Sequence, residues 1–279
     1  VRGPRWSPDG SRVLYASVFE GQSYLWSVSI QDGDATALTT SGIAGSWARW
    51  SPGGDQVVFV AAEIGTRSIW VAPSVGGEPR RLTGDEGHDD EPEWSPDGDL
   101  IVFVSTRDGS PDIWVVPTAG GESIPLTSGP GNDFHPQWSP DGLWVAFRSI
   151  REDRTDIWVV PSSGGAARQV TDDAAEEGSP RWTLDNSGLT FVSSRSQTRL
   201  WEVGLDEGIP VALTPEDVTA LEPALSPDGS QIAFLADRNG RRDIYLVPRG
   251  GGPPRRLTSN PGSTGALGWS PDGERIVFE

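Results

Sequence analysis

The chain has 279 residues, of which 35% are hydrophobic and 22% are charged, a composition typical of a globular protein with a substantial core. Its formal net charge of −18 at pH 7 argues against nucleic acid and anionic membranes as partners. Cysteine is absent, so no disulfide framework exists, and no apolar run approaches the length of a membrane span.

The first predicted unit spans about residues 2–40 and contains four short antiparallel strands, A to D. Strand A ends at Trp6, and β-rich runs predict strand B at Arg12 to Ser17, strand C at Tyr24 to Ser29 and strand D at Ala35 to Thr39. A Ser-Pro-Asp-Gly sequence separates A from B. Proline sets φ for the second turn position and glycine takes the left-handed fourth, which predicts a type I turn with a bulge.

This unit recurs along the whole chain. The turn sequence begins at Ser7, Ser51, Ser95, Ser139, Thr183, Ser226 and Ser270, in steps of 44, 44, 44, 44, 43 and 44 residues. A near-constant period of four strands predicts an all-β propeller in one domain, residues 1–279. The later units span about residues 44–83, 91–127, 135–171, 179–214 and 221–258, followed by a half unit at 265–279.

Tryptophan marks two positions of each unit, the end of strand A and the middle of strand C. Eleven of the thirteen tryptophans occupy them, and we interpret these side chains as wedges between stacked blades. Together with W-S-P-D-G, the I-V-F-V-S strand, R-D-G, D-I-W-V-V-P and G-G-x-x-x-x-L-T, they resemble the TolB-like, or PD40, β-propeller repeats. The resemblance covers the chain but departs at Gly53-Gly54, at Leu184-Asp185-Asn186 and at Leu225.

The half unit predicts a seventh strand A and a seventh strand B. We therefore expect a seven-bladed ring whose last blade lacks two strands, with six blades plus an extra A-B hairpin as the alternative that TolB itself suggests. Either arrangement leaves an unpaired strand edge at Arg275, Ile276, Val277 and Phe278, which could pair with another copy of the chain or with a partner strand. Because the chain does not begin with Met, we expect a processed or trimmed piece.

Acidic residues concentrate in the links from strand D to the next strand A. Such a surface could bind a basic peptide or protein, or it could be a solvated rim that keeps the protein soluble. His88 and His135 lie in adjacent links near Asp90, but their spacing matches no metal motif, so we predict no metal site. The candidate partner-binding residues are Asp89, Asp90, Glu91, Asp133, His135, Glu176, Glu177 and Glu222.

Charged pairs also repeat across the B-to-C hairpin, as Arg107 with Asp112, Arg151 with Asp156, and Arg238 with Asp243. We expect these to be cross-strand ion pairs worth about 0.2–1 kcal/mol each.

No motif for catalysis is found. The sequence has no G-x-S-x-G, no H-E-x-x-H, no P-loop, no dinucleotide fingerprint and no cysteine nucleophile, so we predict no catalytic residue and no cofactor. Our first hypothesis is a non-enzymatic scaffold that binds a protein or peptide at the acidic face or in the central channel, and that could self-assemble through its open edge. The alternative is the accessory propeller of a prolyl-oligopeptidase-type serine peptidase. A hydrolase site within the chain is a third option, and the resemblance implies a periplasmic or extracellular location.

Overall fold

The computed structural model describes residues 2–19, 22–39, 44–63, 65–84, 86–194, 198–206, 208–238, 241–259 and 265–279, and the regular structure within them is β-strand. The A strands are β1 (Arg2–Trp6), β5 (Ala44–Trp50), β9 (Asp89–Trp94), β13 (Asn132–Trp138), β17 (Glu177–Trp182), β21 (Thr219–Leu225) and β25 (Leu267–Trp269). The B strands are β2 (Arg12–Phe19), β6 (Gln56–Glu63), β10 (Leu100–Ser105), β14 (Trp144–Arg151), β18 (Gly188–Ser193), β22 (Gln231–Arg238) and β26 (Ile276–Phe278).

The C and D strands complete the blades. The C strands are β3 (Gln22–Ser29), β7 (Thr66–Pro73), β11 (Asp112–Pro117), β15 (Arg154–Pro161), β19 (Arg199–Gly204) and β23 (Arg241–Pro248). The D strands are short: β4 (Ala35–Ala37), β8 (Arg80–Arg81), β12 (Ile124–Pro125), β16 (Arg168–Gln169), β20 (Val211–Ala212) and β24 (Arg255–Arg256).

The turns between A and B strands form by the predicted chemistry. In the fourth unit, the Gly142 amide donates to the Ser139 carbonyl oxygen at 2.9 Å, and Gly142 has φ +72°. The Asp141 carboxylate accepts from the Ser139 hydroxyl and, at 3.0 Å, from the Leu143 amide. The diverged fifth turn keeps this shape because Asn186, a residue that tolerates positive φ, takes the left-handed position at +57°.

The strands form six four-stranded antiparallel sheets, each in the order A-B-C-D, and one two-stranded sheet of β25 and β26. The predicted count of seven blades is therefore wrong, and six blades plus an A-B hairpin is the arrangement observed. The reason is that a blade needs four strands, and residues 265–279 supply two.

The extra hairpin lies between the sixth blade and the first. Strand β25 contacts both β21 and β1, and the Trp269 indole N–H donates to the Ala224 carbonyl oxygen at 3.0 Å. On its other side, the Arg5 guanidinium donates to the Leu267 carbonyl oxygen at 3.0 Å. Pro271 packs against Gly10 in the way that Pro8 packs against Gly54 between the first two blades. The hairpin thus closes the ring.

The core lies between neighbouring blades. The indole N–H groups of Trp50, Trp94, Trp138 and Trp182 each donate to a backbone carbonyl of the preceding blade at 3.0–3.4 Å, which agrees with their interpretation as wedges. A phenylalanine at the middle of strand B is fully buried in five blades and lies opposite the tryptophan or tyrosine of strand C, as in Phe147 opposite Trp158.

Candidate functional site

Each complete A strand carries a β-bulge at the same position. The register of β13 with β14, for example, shifts between Phe134 and Gln137. The residue three before the end of strand A then has a left-handed backbone, at a cost of about 1–2 kcal/mol for a side chain other than glycine. These residues are Gly3, Trp47, Glu91, His135, Ser179 and Glu222, with φ between +51° and +58°. The same strained bulge recurs in all six blades and changes the direction in which the following side chains point. Backbone strain of this kind is common at functional positions.

The residue just before the last one of strand A faces the central channel. We call Arg5, Arg49, Glu93, Gln137 and Arg181 the cationic tier. With Glu222, Ala224 and Gly268 they line a cavity of about 560 Å³. Prolines of the A-to-B turns also line this cavity, so the cationic tier lies toward the face that carries these turns, which we call the turn face.

Two arginines of the cationic tier have no carboxylate partner among the described residues. The Arg49 Nε atom lies 3.0 Å from Glu93 Oε2. Arg181, by contrast, donates only to the Pro180 carbonyl at 2.9 Å, and Arg5 only to the Leu267 carbonyl. Burial, with the nearby Arg49 and Arg181, lowers the pKa of Arg5 to about 10. The three arginines outnumber the two carboxylates, Glu93 and Glu222, that line the cavity, so the cavity carries a net positive charge.

The bulge residues Glu91, His135 and Glu222 form a second group, the acidic tier, two residues earlier in strand A. The His135 amide donates to Glu91 Oε2 at 2.6 Å, and His135 Nε2 lies 3.4 Å from Glu91 Oε1. Burial lowers the pKa of His135, against the opposing effect of Glu91, so the imidazole is mainly neutral at pH 7. The acidic tier lies toward the face with the D-to-A and B-to-C links, which we call the link face.

The structure separates the eight predicted partner-binding residues. Glu91, His135 and Glu222 come together in the acidic tier. Asp89, Asp133 and Glu177 are only 0%, 1% and 2% exposed, so burial removes them from any docking surface. Asp90 pairs with Arg67 at 2.7 Å, and Glu176 is exposed.

The buried aspartates join strands A and B within a blade. Both Asp89 carboxylate oxygens accept from Arg107 Nη2 at 3.2 Å, and Asp133 accepts from the Ser149 hydroxyl at 2.6 Å. The predicted pairing of Arg107 with Asp112 is therefore wrong, because Arg107 turns toward strand A.

The predicted pairing of Arg151 with Asp156 does not form either. Arg151 lies 3.9 Å from Asp133 and stacks on Trp158, rather than pairing with Asp156. Asp243 pairs with Arg256 at 2.7 Å, and the side chain of Arg238 lies outside the described residues.

In the part of the chain that the structure describes, no three His, Asp or Glu side chains converge as metal ligands, and no helix is long and apolar enough to cross a membrane.

The open edge of β26 is the second candidate site. Phe278 is 39% exposed, whereas the residues at its position in five blades are fully buried: Phe59, Phe103, Phe147, Phe191 and Phe234. Leu257 on the sixth blade is 40% exposed, against 5% for Leu213 at the same position of the fifth. A cavity of about 350 Å³ lies between β26 and the sixth blade. The exposure marks where the outer strands of a further blade would pack.

The sequence did not single out the cationic tier. Its signal was available, because a charged or amide residue directly precedes the tryptophan that ends strand A in Arg5-Trp6, Arg49-Trp50, Glu93-Trp94, Gln137-Trp138 and Arg181-Trp182. Alternation along a strand points these residues away from the neighbouring blade, and ring closure then brings them together.

Comparison with known proteins identifies two families of propeller. The TolB β-propeller domain family, PD40, matches residues 1–129, and the Tricorn protease N-terminal β-propeller domain family matches residues 196–279. Tricorn protease homolog 1 of Streptomyces coelicolor is 32% identical over 89 residues, which is 31% of this chain and 8% of that protein. Uncharacterized peptidase YuxL of Bacillus subtilis is 35% identical over 81 residues, which is 29% of this chain and 12% of that protein. The chain is thus related to the propellers of much longer peptidases.

Solved structures share the fold over nearly the whole chain. An oligogalacturonate lyase in complex with manganese has a TM-score of 0.82 at 18% identity, covering 99% of this chain and 84% of that one. A puromycin-hydrolyzing peptidase of Mycobacterium tuberculosis has a TM-score of 0.80 at 17% identity, covering 99% of this chain and 52% of that one. At such low identity, the likeness shows the fold alone.

Proposed function

The repeats of this chain are those of the TolB-like, PD40 β-propeller family, and from that premise we propose that it is a non-catalytic propeller that receives peptide segments in its central channel. We propose further that it serves a peptidase domain as an accessory propeller. The observation that carries the proposal is the cationic tier, where guanidinium groups without carboxylate partners line a cavity of about 560 Å³. This volume lies within the range of about 300–1,000 Å³ that is typical of ligand sites.

The peptidase relatives support the accessory role at least as well as a free-standing scaffold. Both matched peptidases are many times longer than the matched segment, which leaves room in them for a catalytic domain. The two interpretations share the binding site and differ only in whether a hydrolase acts on what is bound. Flanking sequence that carries a G-x-S-x-G nucleophile elbow would decide for the peptidase.

Binding of short peptides to the purified chain tests the proposal. We expect fluorescein-labelled peptides of five to ten residues to bind, with lower affinity for Arg181→Gln, and we expect mass spectrometry to find every peptide intact. The matched control is Arg168→Gln, an exposed arginine of β16.

Three outcomes would overturn the proposal. One is the absence of peptide binding at millimolar concentration. Another is peptide cleavage that a channel substitution abolishes. The third is selective binding of oligogalacturonate, the compound named for the lyase of the same fold, with no binding of peptides.

The open edge favours self-assembly as a second function. Register in the complete blades places an aromatic residue of strand C opposite the phenylalanine of strand B, and Phe278 lacks that neighbour. We propose that a second copy covers β26 through edge-to-edge pairing. Sedimentation at 1–100 µM should then show a dimer that Ile276→Pro disrupts, since the amides of residues 275, 277 and 279 face β25 and proline at position 276 removes a donor from the open edge. A monomer at every concentration contradicts this proposal.

A periplasmic or extracellular location also stays a prediction from the TolB-like resemblance. Fractionation of the source cells with an antibody against the chain checks it, and detection in the cytosol alone would contradict it.

A further inference from the structure

Charge is distributed unevenly along the channel of this acidic protein. The cationic tier holds three arginines and Glu93, and Glu222 lines the same cavity, so the net charge around the cavity is +1 in a chain of −18. Of the acidic tier, Glu91 and the mainly neutral His135 do not line this cavity, and Glu91 adds a negative charge on the side of the link face. The two tiers are two residues apart along the A strands, or about 6 Å. The channel therefore has a positive end at the turn face and a negative end at the link face.

The positive end has unused hydrogen-bond donors. A guanidinium group carries five N–H donors in a planar fork that matches a carboxylate. Arg49 uses its Nε on Glu93, but within the described ranges Arg5 and Arg181 each make one hydrogen bond, to a backbone carbonyl. Both line the cavity, so their remaining donors are accessible from it. An anion in the cavity would engage donors that the described protein residues leave open.

The position of these arginines favours an anion on the channel axis. Arg5 belongs to the first blade and Arg181 to the fifth, and the sixth blade and the extra hairpin lie between them. The two arginines therefore face each other across the ring rather than lying side by side on one wall. The end of an extended peptide lies on the axis, whereas a side chain in its middle points toward one wall. A terminal carboxylate can therefore be shared between the two guanidinium groups.

We infer that the open guanidinium forks of Arg5 and Arg181 bind the C-terminal carboxylate of a peptide, whose chain extends past the acidic tier toward the link face. The inference rests on the proposed function, because it assigns a direction to a peptide that the channel receives. Glu91 discriminates against the reverse direction, which would place the terminal carboxylate beside a like charge.

Pairs of peptides that differ only in their ends test this assignment. We expect amidation of the C-terminus to weaken binding by about 10- to 100-fold, since charge-assisted hydrogen bonds are lost, while acetylation of the N-terminus has less than a threefold effect. Arg181→Gln should remove most of the preference for the free acid over the amide. Glu93→Gln should increase that preference, because it releases Arg49 from its ion pair and removes a negative charge. Arg168→Gln, remote from the channel, should leave the preference unchanged, and thermal unfolding confirms that each variant is folded.

The possible results separate this inference from the proposed function. Equal binding of acid and amide by the wild-type chain overturns the carboxylate assignment and leaves peptide binding in place. If an aspartate placed inside the amidated peptide restores the full affinity, the bound carboxylate need not be the terminal one, and the assignment to the C-terminus is overturned. If neither form binds, the proposed function itself fails.

Discussion

Replacing Phe278 by alanine should destabilise the protein far less than replacing Phe147, although both occupy the same position of the repeat. Phe147 is fully buried between β13 and β15, and its removal leaves a closed cavity. A change from phenylalanine to alanine at such a site costs about 3–5 kcal/mol. Phe278 is 39% exposed beside an open groove, so the cavity contribution is absent and the loss of partial burial costs about 1–2 kcal/mol.

Thermal unfolding followed by tryptophan fluorescence measures this difference. With a shift of about 2–4 °C per kcal/mol, we expect the midpoint to fall by about 6–20 °C for Phe147→Ala and by about 2–8 °C for Phe278→Ala. Both variants need to be compared at a concentration at which sedimentation shows a monomer, because a second copy on β26 would bury Phe278. Equal losses in the monomer would refute the exposed edge and the reasoning built on it.

Three further predictions concern the strain, the buried ion pairs and the acid stability of the blades. Ser179→Gly should raise the free energy of unfolding by about 0.5–1 kcal/mol in urea titrations, since it relieves a left-handed backbone at φ +53°; a loss of stability would contradict the strain. Arg107→Ala should lower the free energy of unfolding by about 3–5 kcal/mol, because it leaves the Asp89 carboxylate buried without its partner. Arg154→Ala, which removes an exposed ion pair, should lower it by less than about 1 kcal/mol. Similar losses for the two variants would argue that Asp89 is accessible to water. Hydrogen bonds from the Ser226 hydroxyl and the Ser230 backbone lower the pKa of Asp228 to about 2, below its ordinary value of 3.8. The stabilising effect of the Asp228 carboxylate is therefore complete above about pH 4 and is lost as the pH falls toward 2. Asp228→Asn should weaken this acid sensitivity in urea titrations at pH 2–5, and an unchanged pH dependence would count against the prediction.

Local features of the fold were predictable from the sequence. The A-to-B turns are set by proline, aspartate and glycine within four residues, and even the substituted turn at Asn186 forms, because asparagine tolerates the left-handed backbone. Strand order and the role of Trp138 followed from the 44-residue period, since each unit repeats the same local chemistry. The blade count did not follow, because two strands of a seventh unit can be read as a blade or as a hairpin.

The candidate site was less predictable, since the environment of a charge depends on residues distant in the sequence. Asp89 and Glu176 both belong to acidic links, yet the first is buried against Arg107 and the second is exposed. A count of acidic residues cannot separate them. The cationic tier was missed for the same reason, because Arg5 and Arg181 are 176 positions apart in the chain.

The sequence by itself determined that this protein is a ring of four-stranded blades, because turns and alternating strands are specified by residues a few positions apart and then repeated. The tertiary structure alone decided that the last hairpin closes the ring, that Phe278 remains partly exposed, and that three arginines line one end of the channel. These features arise only when the ring closes. Closure determines which side chains that are distant in the sequence lie together in the channel wall, where the dielectric constant is low, and which remain in water.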